Sequence, residues 1–303
     1  MSLRSKKRNA LSRTSLLVGP AFGLFGCTGG VLDPQGPVGA NDAAILIDAV
    51  LIMLVIVVPT IFVAYWIAWR YRASNTKVQY LPEWSYSGRI EAVVWAIPIL
   101  VIMFLGGVIW IGSYRLDPFN PLPSKSPPLE VQVIALDWKW LFIYPHEGVA
   151  SVNELAIPQG VPVHFSITSA SVFNTFFIPR LGSMIYAMPG MVSQLNLQAD
   201  HPGVLMGESA HFSGDGFSDM NFKVRSLSPG DFGAWIRNAR GAGPTLDHAS
   251  YALLSRQSHN VKPFSYKAID PALFGNVASL RAGPAPGPQS ENASREVTEA
   301  GRR

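Results

Sequence analysis

Two long uncharged runs stand out in the first half of the chain. The first extends from Ala49 to Trp69 and the second from Ala92 to Tyr114. At about 1.5 Å per residue in an α-helix, each run is long enough to cross the roughly 30 Å hydrocarbon core of a membrane. The pattern therefore predicts two membrane-spanning helices, at residues 43–69 and 92–114, joined by a loop at residues 70–91.

The charges beside the two runs predict their orientation. The loop at residues 70–91 carries four bases against Glu83 and Glu91, whereas residues 27–48 carry acids and no base. Cytoplasmic loops of membrane proteins are enriched in lysine and arginine. The loop is therefore expected in the cytoplasm, with both ends of the chain outside.

A different hydrophobic pattern begins after a linker at residues 115–128. Short segments alternate apolar and polar positions, and proline-glycine pairs separate them. The alternating apolar positions are Val131, Val133, Ala135, Val161, Val163, Phe165, Ile167, Leu195 and Leu197. Several short strands at regular spacing are typical of an antiparallel sandwich. We expect residues 129–225 to form one β-sandwich outside the membrane.

The last part of the chain returns to helical spacing and then loses periodicity. Ser228 and Pro229 provide an N-cap and a first-turn proline for one helix, and a second helical stretch follows at about residues 246–257. A small helical extension is therefore predicted at residues 226–280. Residues 281–303 are rich in Gly, Pro, Ser, Glu and Arg, which is typical of a disordered tail.

The N-terminal segment has the layout of a bacterial export signal. Residues 1–26 contain five bases and no acid, and end in a short apolar stretch. The following Leu24-Phe25-Gly26-Cys27 resembles a lipobox, although Phe25 is larger than the usual residue. The pattern predicts a signal peptide at residues 1–26, a lipid anchor on Cys27 and an external linker at residues 27–42. An ordinary signal with an incidental cysteine is the alternative.

Composition narrows the possible functions. Hydrophobic residues make up 48% of the chain and charged residues 15%, against about 25% charged residues in soluble domains. The low charge leaves no basic stripe for nucleic acid. Cys27 is the one cysteine in the chain, which excludes an intramolecular disulfide and any site that needs two thiolates.

Three short motifs accompany the hairpin and the predicted sandwich. They are Glu91-Ala92-Val93-Val94-Trp95, Asp137-Trp138-Lys139-Trp140 and Phe176-Phe177-Ile178-Pro179-Arg180. Together these features resemble subunit II of the haem-copper respiratory oxidases, from Cys27 to about Phe274. The resemblance implies a membrane α + β fold: a two-helix transmembrane hairpin followed by a cupredoxin-like β-sandwich and a small C-terminal helical extension.

The copper-ligand positions of that family are altered in this sequence. In the branch that oxidises cytochrome c, the sandwich binds dinuclear copper through two cysteines, histidines and a methionine. Ser209 and Ser213 stand at the cysteine positions, Asn174 and Phe217 at the histidine positions, and Met220 at the methionine position. Copper held between thiolates requires soft sulfur ligands, and a lone thioether does not hold it. The resemblance thus implies a sandwich that lacks its copper site, and a chain that binds no cofactor itself.

This pattern is similar to subunit II of the cytochrome o type ubiquinol oxidases. The resemblance implies a proton-pumping complex of the bacterial inner membrane that oxidises ubiquinol and reduces oxygen to water. Its haems and copper would belong to the large subunit I, and subunit III and a small subunit IV would complete it. Cytochrome c is not an expected partner, because the 15 bases and 15 acids from Arg115 to Arg303 leave no acidic excess.

Glu91 is the one candidate for chemistry in this chain. The resemblance matches it to the subunit II glutamate at the mouth of a proton channel, where protons enter from the cytoplasm. Because ionisable groups at a membrane edge also act as simple interfacial anchors, an anchoring role is the alternative.

For the remaining polar and aromatic residues, the sequence favours structural roles over catalytic or metal-binding ones. The six histidines lie outside the spans and show no close pair typical of metal ligands. Trp138 and Trp140 are expected to pack against the large subunit or the membrane interface. Asp137 and Lys139 are expected to form an ordinary surface pair.

Two alternative functions make different demands on the sequence. A subunit of a cytochrome c oxidase would need two cysteines in the sandwich, which the cysteine count excludes. A stand-alone, membrane-anchored cupredoxin-like lipoprotein that acts as a binding or assembly factor would not need an acid at position 91.

Overall fold

The computed structural model describes residues 30–79, 81, 83–124 and 126–282. The predicted signal segment, Cys27 and the chain from residue 283 onwards lie outside the described residues. Along the described chain, a helical hairpin is followed by a two-sheet sandwich and then by a C-terminal extension. This order confirms the predicted architecture.

Two long helices, α1 (Pro37–Arg70) and α2 (Gly88–Arg115), form the hairpin. Each contains an apolar stretch long enough to cross a membrane, with no side chain of that stretch buried within this chain. Helix α1 begins at residue 37 rather than at the predicted residue 43. Its first turn rests on the sandwich, where the Gly39 amide donates to the Leu181 carbonyl oxygen at 2.8 Å. These first residues therefore belong to the junction with the sandwich.

The sandwich is built from two sheets of short strands. The strands are β1 (Leu129–Leu136), β2 (Lys139–Tyr144), β3 (Val149–Val152), β4 (Glu154–Pro158), β5 (Val163–Ser169), β6 (Asn174–Phe177), β7 (Ile185–Ala187), β8 (Ser193–Leu197), β9 (Gly203–Ser209) and β10 (Asn221–Leu227). One sheet has the order β3-β2-β1-β5-β8 and the other β4-β10-β9-β6-β7. Most pairs are antiparallel as predicted, but β1 with β5 and β4 with β10 are parallel.

Aromatic side chains fill the space between the two sheets. Trp140, Phe142, Phe176 and Phe222 are fully or almost fully buried. The rings of Phe176 and Phe222 stack with their centroids 5.3 Å apart, and the Trp140 ring meets Phe176 edge-on at 5.4 Å. Burial of each such side chain stabilises the fold by about 2–3 kcal/mol. This core fixes the ends of β6, β9 and β10, where the candidate site lies.

The extension contains more than helices. It comprises α3 (Pro229–Gly241), β11 (Thr245–Leu246), α4 (His248–Leu254), β12 (Phe264–Tyr266), β13 (Ala268–Ile269) and α5 (Leu273–Ala278). Ser228 caps α3 as predicted, since its hydroxyl accepts from the Asp231 amide at 3.2 Å. The prediction of a purely helical extension is nevertheless incomplete, because β12 pairs with the edge strand β3 of the sandwich. A three-residue strand is too short to show alternation in the sequence.

Candidate functional site

The candidate site is the loop between β9 and β10, residues 210–220, together with the start of β6. The structure brings together there four of the five positions that match the family's copper ligands: the altered Asn174, Ser209 and Ser213 and the retained Met220. Asn174, Ser209, Ser213 and Met220 are all buried, with at most 6% of each residue exposed. Phe217 lies in a short 3₁₀ helix of the loop and is only half-buried, with its ring 5.7 Å from that of Phe212.

The four buried side chains satisfy one another by weak polar contacts. The Ser209 hydroxyl donates to the Asn174 amide oxygen at 3.3 Å, and the Ser213 hydroxyl donates to the Met220 sulfur at 3.7 Å. Backbone pairing closes the loop, since the Ser209 amide donates to the Met220 carbonyl oxygen at 3.1 Å. The positions therefore remain assembled as a neutral cluster.

The donor set of this cluster does not fit a copper centre. Two hydroxyls, an amide and a thioether carry no charge, whereas copper bound between two sulfur ligands requires thiolates. Within the described ranges, no group of three or more His, Cys, Asp or Glu side chains is placed to hold a metal ion. The loop therefore has no donor set that could support a redox centre.

Two tryptophans support the loop from beneath. The indole N–H of Trp138 donates to the Ser213 carbonyl oxygen at 3.0 Å, and that of Trp140 donates to the Met220 carbonyl oxygen at 3.3 Å. Gly216 lies directly on the Trp138 ring, where an added Cβ would come within 2.3 Å of the ring. Trp138 is 3% exposed and Trp140 is fully buried. The expectation that they pack against another subunit or the membrane is wrong, because the loop of their own chain covers them.

Asp137 and Lys139 also depart from the prediction. Both residues are 1% exposed, so they do not form a surface pair. The Lys139 ammonium donates to three oxygens: the Asp137 carbonyl at 3.0 Å, the Arg256 carbonyl at 2.7 Å and the Ser258 hydroxyl at 2.6 Å. The last two belong to the C-terminal extension, which covers this edge of the sandwich. Strand alternation alone could not indicate that cover.

Burial dominates the electrostatics of this pair. It lowers the pKa of Lys139 to about 8, while the Asp137 carboxylate raises it. Burial likewise raises the pKa of the Asp137 carboxyl, which hydrogen bonds from Ser171 and Gln257 lower. The two groups are thus held by hydrogen bonds in a place where neither charge is solvated.

Residues 256–262 of the extension, which we call the strap, pass over Trp138. The His259 ring lies against the Trp138 indole with centroids 4.6 Å apart, and its Nδ1 is 3.6 Å from the Asp219 carboxylate in the β9–β10 loop. Further along, the Asn153 side-chain amide donates to the Val261 carbonyl oxygen at 2.8 Å. The loop and the strap therefore enclose Trp138 from two sides. No motif in the sequence marks this arrangement.

Glu91 lies at the far end of the hairpin from the loop. It occupies the first turn of α2, where its amide donates to the Ser87 carbonyl oxygen at 3.0 Å, and its side chain is exposed. At about 1.5 Å per residue, the 28-residue helix separates it from the sandwich by roughly 40 Å. Glu91 is thus separate from the β9–β10 loop and lies at the opposite end of the membrane-spanning segment.

Comparisons with known proteins agree with the sequence resemblance. The family described as cytochrome c oxidase subunit II, periplasmic domain, matches residues 107–227. Cytochrome bo(3) ubiquinol oxidase subunit 2 of Pseudomonas aeruginosa is 45% identical over 86% of this chain and 79% of its own length. Ubiquinol oxidase subunit 2 of Acetobacter aceti is 46% identical over 90% of each chain.

A solved structure also resembles part of the chain. The periplasmic domain of subunit II of cytochrome oxidase from Bradyrhizobium japonicum is 23% identical, with a TM-score of 0.37, and the match covers 38% of this chain and 96% of that one. The two apolar helices and the matched periplasmic domain fit an inner-membrane protein. The identity and coverage of the full-length relatives decide the assignment: the chain belongs to the ubiquinol oxidase subunit 2 family.

Proposed function

We propose that this chain is the second subunit of a proton-pumping complex that oxidises ubiquinol and reduces oxygen to water. One observation carries the proposal beyond the family assignment: the cluster of Asn174, Ser209, Ser213 and Met220 is buried, neutral and internally bonded. Such a cluster offers no site that accepts an electron. Electrons would therefore pass from quinol to haems and copper held by the large subunit.

The strap also covers Trp138, which is the second feature of the sandwich that fits a quinol oxidase. A soluble electron donor needs close approach to a redox-active or aromatic group at the protein surface. Here the β9–β10 loop and His259 cover Trp138, which is 3% exposed. The sandwich would thus act as a structural platform, and it would have no role in taking up electrons from cytochrome c.

The hairpin supplies the contact with the rest of the complex. Apolar side chains point outwards from both helices. Examples are Val55, Phe62, Trp95 and Met103, each of which is at least 66% exposed. Helices this apolar pack against lipid or other helices. Subunits I, III and IV of the same complex would occupy part of this surface.

Purification tests this assembly directly. We expect the tagged chain, extracted in mild detergent, to co-purify with a large haem-containing subunit and with subunits III and IV. A haem-free monomer would instead support the stand-alone lipoprotein, an alternative that the relatives do not favour.

The intact mass of the purified chain tests the predicted processing of its N-terminus. It should show loss of residues 1–26 and a diacylglyceryl addition at Cys27.

Glu91 is the residue through which this chain would contribute to proton uptake. It lies at the end of the hairpin that the charge pattern assigns to the cytoplasm, at the start of α2. We expect Glu91→Gln to slow quinol-dependent oxygen uptake severalfold while haem content stays unchanged, because the variant removes a proton carrier and keeps the size of the side chain. The measurement is the turnover rate of the purified complex.

Glu83→Gln is the matched control, since Glu83 lies in the same loop outside the helix. It should leave turnover within the error of the measurement. Equal rates for Glu91→Gln and the unaltered complex would assign Glu91 an anchoring role.

A further inference from the structure

The junction between the hairpin and the sandwich contains a cavity of about 640 Å³. The start of α1, the end of α2, a proline-rich linker at residues 116–123 and strand β8 form its walls. Because α1 begins and α2 ends here, the cavity lies at the level of one membrane surface. Polar side chains face it alongside prolines and leucines: Asn41, Arg115, Asp117, Ser183, Asn196 and Gln198.

Hydrogen bonds between its walls hold the cavity in shape. The Asn196 side-chain amide donates to the Pro118 carbonyl oxygen at 3.0 Å, which ties the linker to β8. The Ser183 hydroxyl donates to the Asp42 carboxylate at 3.0 Å, which ties the sandwich to α1. The site is therefore preformed by contacts within the chain.

Two opposite charges line this cavity without neutralising each other. Arg115 is the last residue of α2, and Asp117 follows it two positions later. Neither forms an ion pair with any of the residues that the structure describes. Among the described residues, the Asp117 carboxylate accepts one hydrogen bond, from the Phe119 amide at 3.0 Å. A guanidinium and a carboxylate at the membrane surface thus remain available to a ligand.

We infer that the cavity binds the headgroup of a zwitterionic aminophospholipid. Its phosphate meets Arg115, because arginine forms strong paired hydrogen bonds with phosphate, and its ammonium meets Asp117. The acyl chains follow the apolar face of α2, where Ile111 lies one turn from Arg115 and is 53% exposed. A phosphatidylglycerol headgroup satisfies Arg115 alone, because it carries no ammonium group to meet Asp117.

Lipid counting on the purified complex tests the inference. The complex is exchanged into nanodiscs of equal parts phosphatidylethanolamine and phosphatidylglycerol, and retained lipids are counted by native mass spectrometry. We expect Arg115→Gln to lose one bound phospholipid per complex. Asp117→Asn should keep that phospholipid but lose the preference for phosphatidylethanolamine.

Arg237→Gln provides the control, because Arg237 is an exposed base on α3 outside the cavity. It should retain the full lipid complement and the headgroup preference. Identical lipid complements in all three variants would overturn the inference and indicate that another subunit fills the cavity. An unchanged headgroup preference in Asp117→Asn would overturn the assignment of the ammonium.

Discussion

Replacing Lys139 by methionine is expected to release the strap from the sandwich. Methionine keeps the apolar stem but removes the three donors that bind the Asp137 and Arg256 carbonyl oxygens and the Ser258 hydroxyl. It also leaves the buried Asp137 carboxyl without a neighbouring cation. Each hydrogen bond from a charged donor contributes about 1.5–3 kcal/mol. Amide hydrogen exchange in residues 256–262 should therefore accelerate about 100-fold.

Lys223→Met is the matched control for this experiment. Lys223 is an exposed lysine on β10 that lies beside the strap, but its side chain donates none of the hydrogen bonds that hold the strap in the described structure. Exchange in the strap should match that of the unaltered complex in this variant. If Lys139→Met behaves in the same way, the ammonium does not hold the strap.

Replacing Trp138 by alanine is expected to loosen the β9–β10 loop and the strap together. The change removes the indole N–H bond to the Ser213 carbonyl oxygen and the ring surface against Gly216 and His259. Truncating a buried tryptophan to alanine costs about 3–5 kcal/mol. We expect faster hydrogen exchange in residues 210–220 and 256–262, together with a lower thermal unfolding temperature of the complex.

Two further variants separate the contributions of Trp138. Trp138→Phe keeps much of the ring but leaves the buried Ser213 carbonyl oxygen without its donor, so it should cost about 1–3 kcal/mol. Phe212→Ala, in the same loop, alters a side chain that is 71% exposed and should have little effect on exchange. Loosening of the loop alone in Trp138→Ala would contradict the view that one side chain supports both segments.

The hydrophobic pattern predicted the architecture because its periods are local. A span needs only consecutive apolar residues, and a strand needs only alternation, so the hairpin and the sandwich both follow from short windows of sequence. The start of α1 was missed because Gly39 is fixed by a tertiary hydrogen bond to the Leu181 carbonyl oxygen. Strand β12 was missed because its three residues gain their role only from pairing with β3.

In the candidate site, too, some features could be predicted from the sequence and others depend on tertiary contacts. The resemblance selected Asn174, Ser209, Ser213, Phe217 and Met220, and the fold brings all of them except Phe217 into one buried cluster. The burial of Lys139 could not be predicted, because its partners lie in the extension. In a strand whose two faces are both covered, alternation of polar and apolar residues no longer reports exposure. The role of Glu91 depends on groups outside this chain and stays a prediction.

The electron-donor specificity of the purified complex tests directly whether electrons enter from ubiquinol and not through the sandwich. Oxygen uptake is measured with ubiquinol and, separately, with reduced cytochrome c, at equal haem concentration and with a haem-copper oxidase inhibitor as the blank. We expect inhibitor-sensitive uptake with ubiquinol and none above the blank with cytochrome c. Uptake sustained by reduced cytochrome c would contradict this expectation, because electrons would then enter through a sandwich that has no site to accept them.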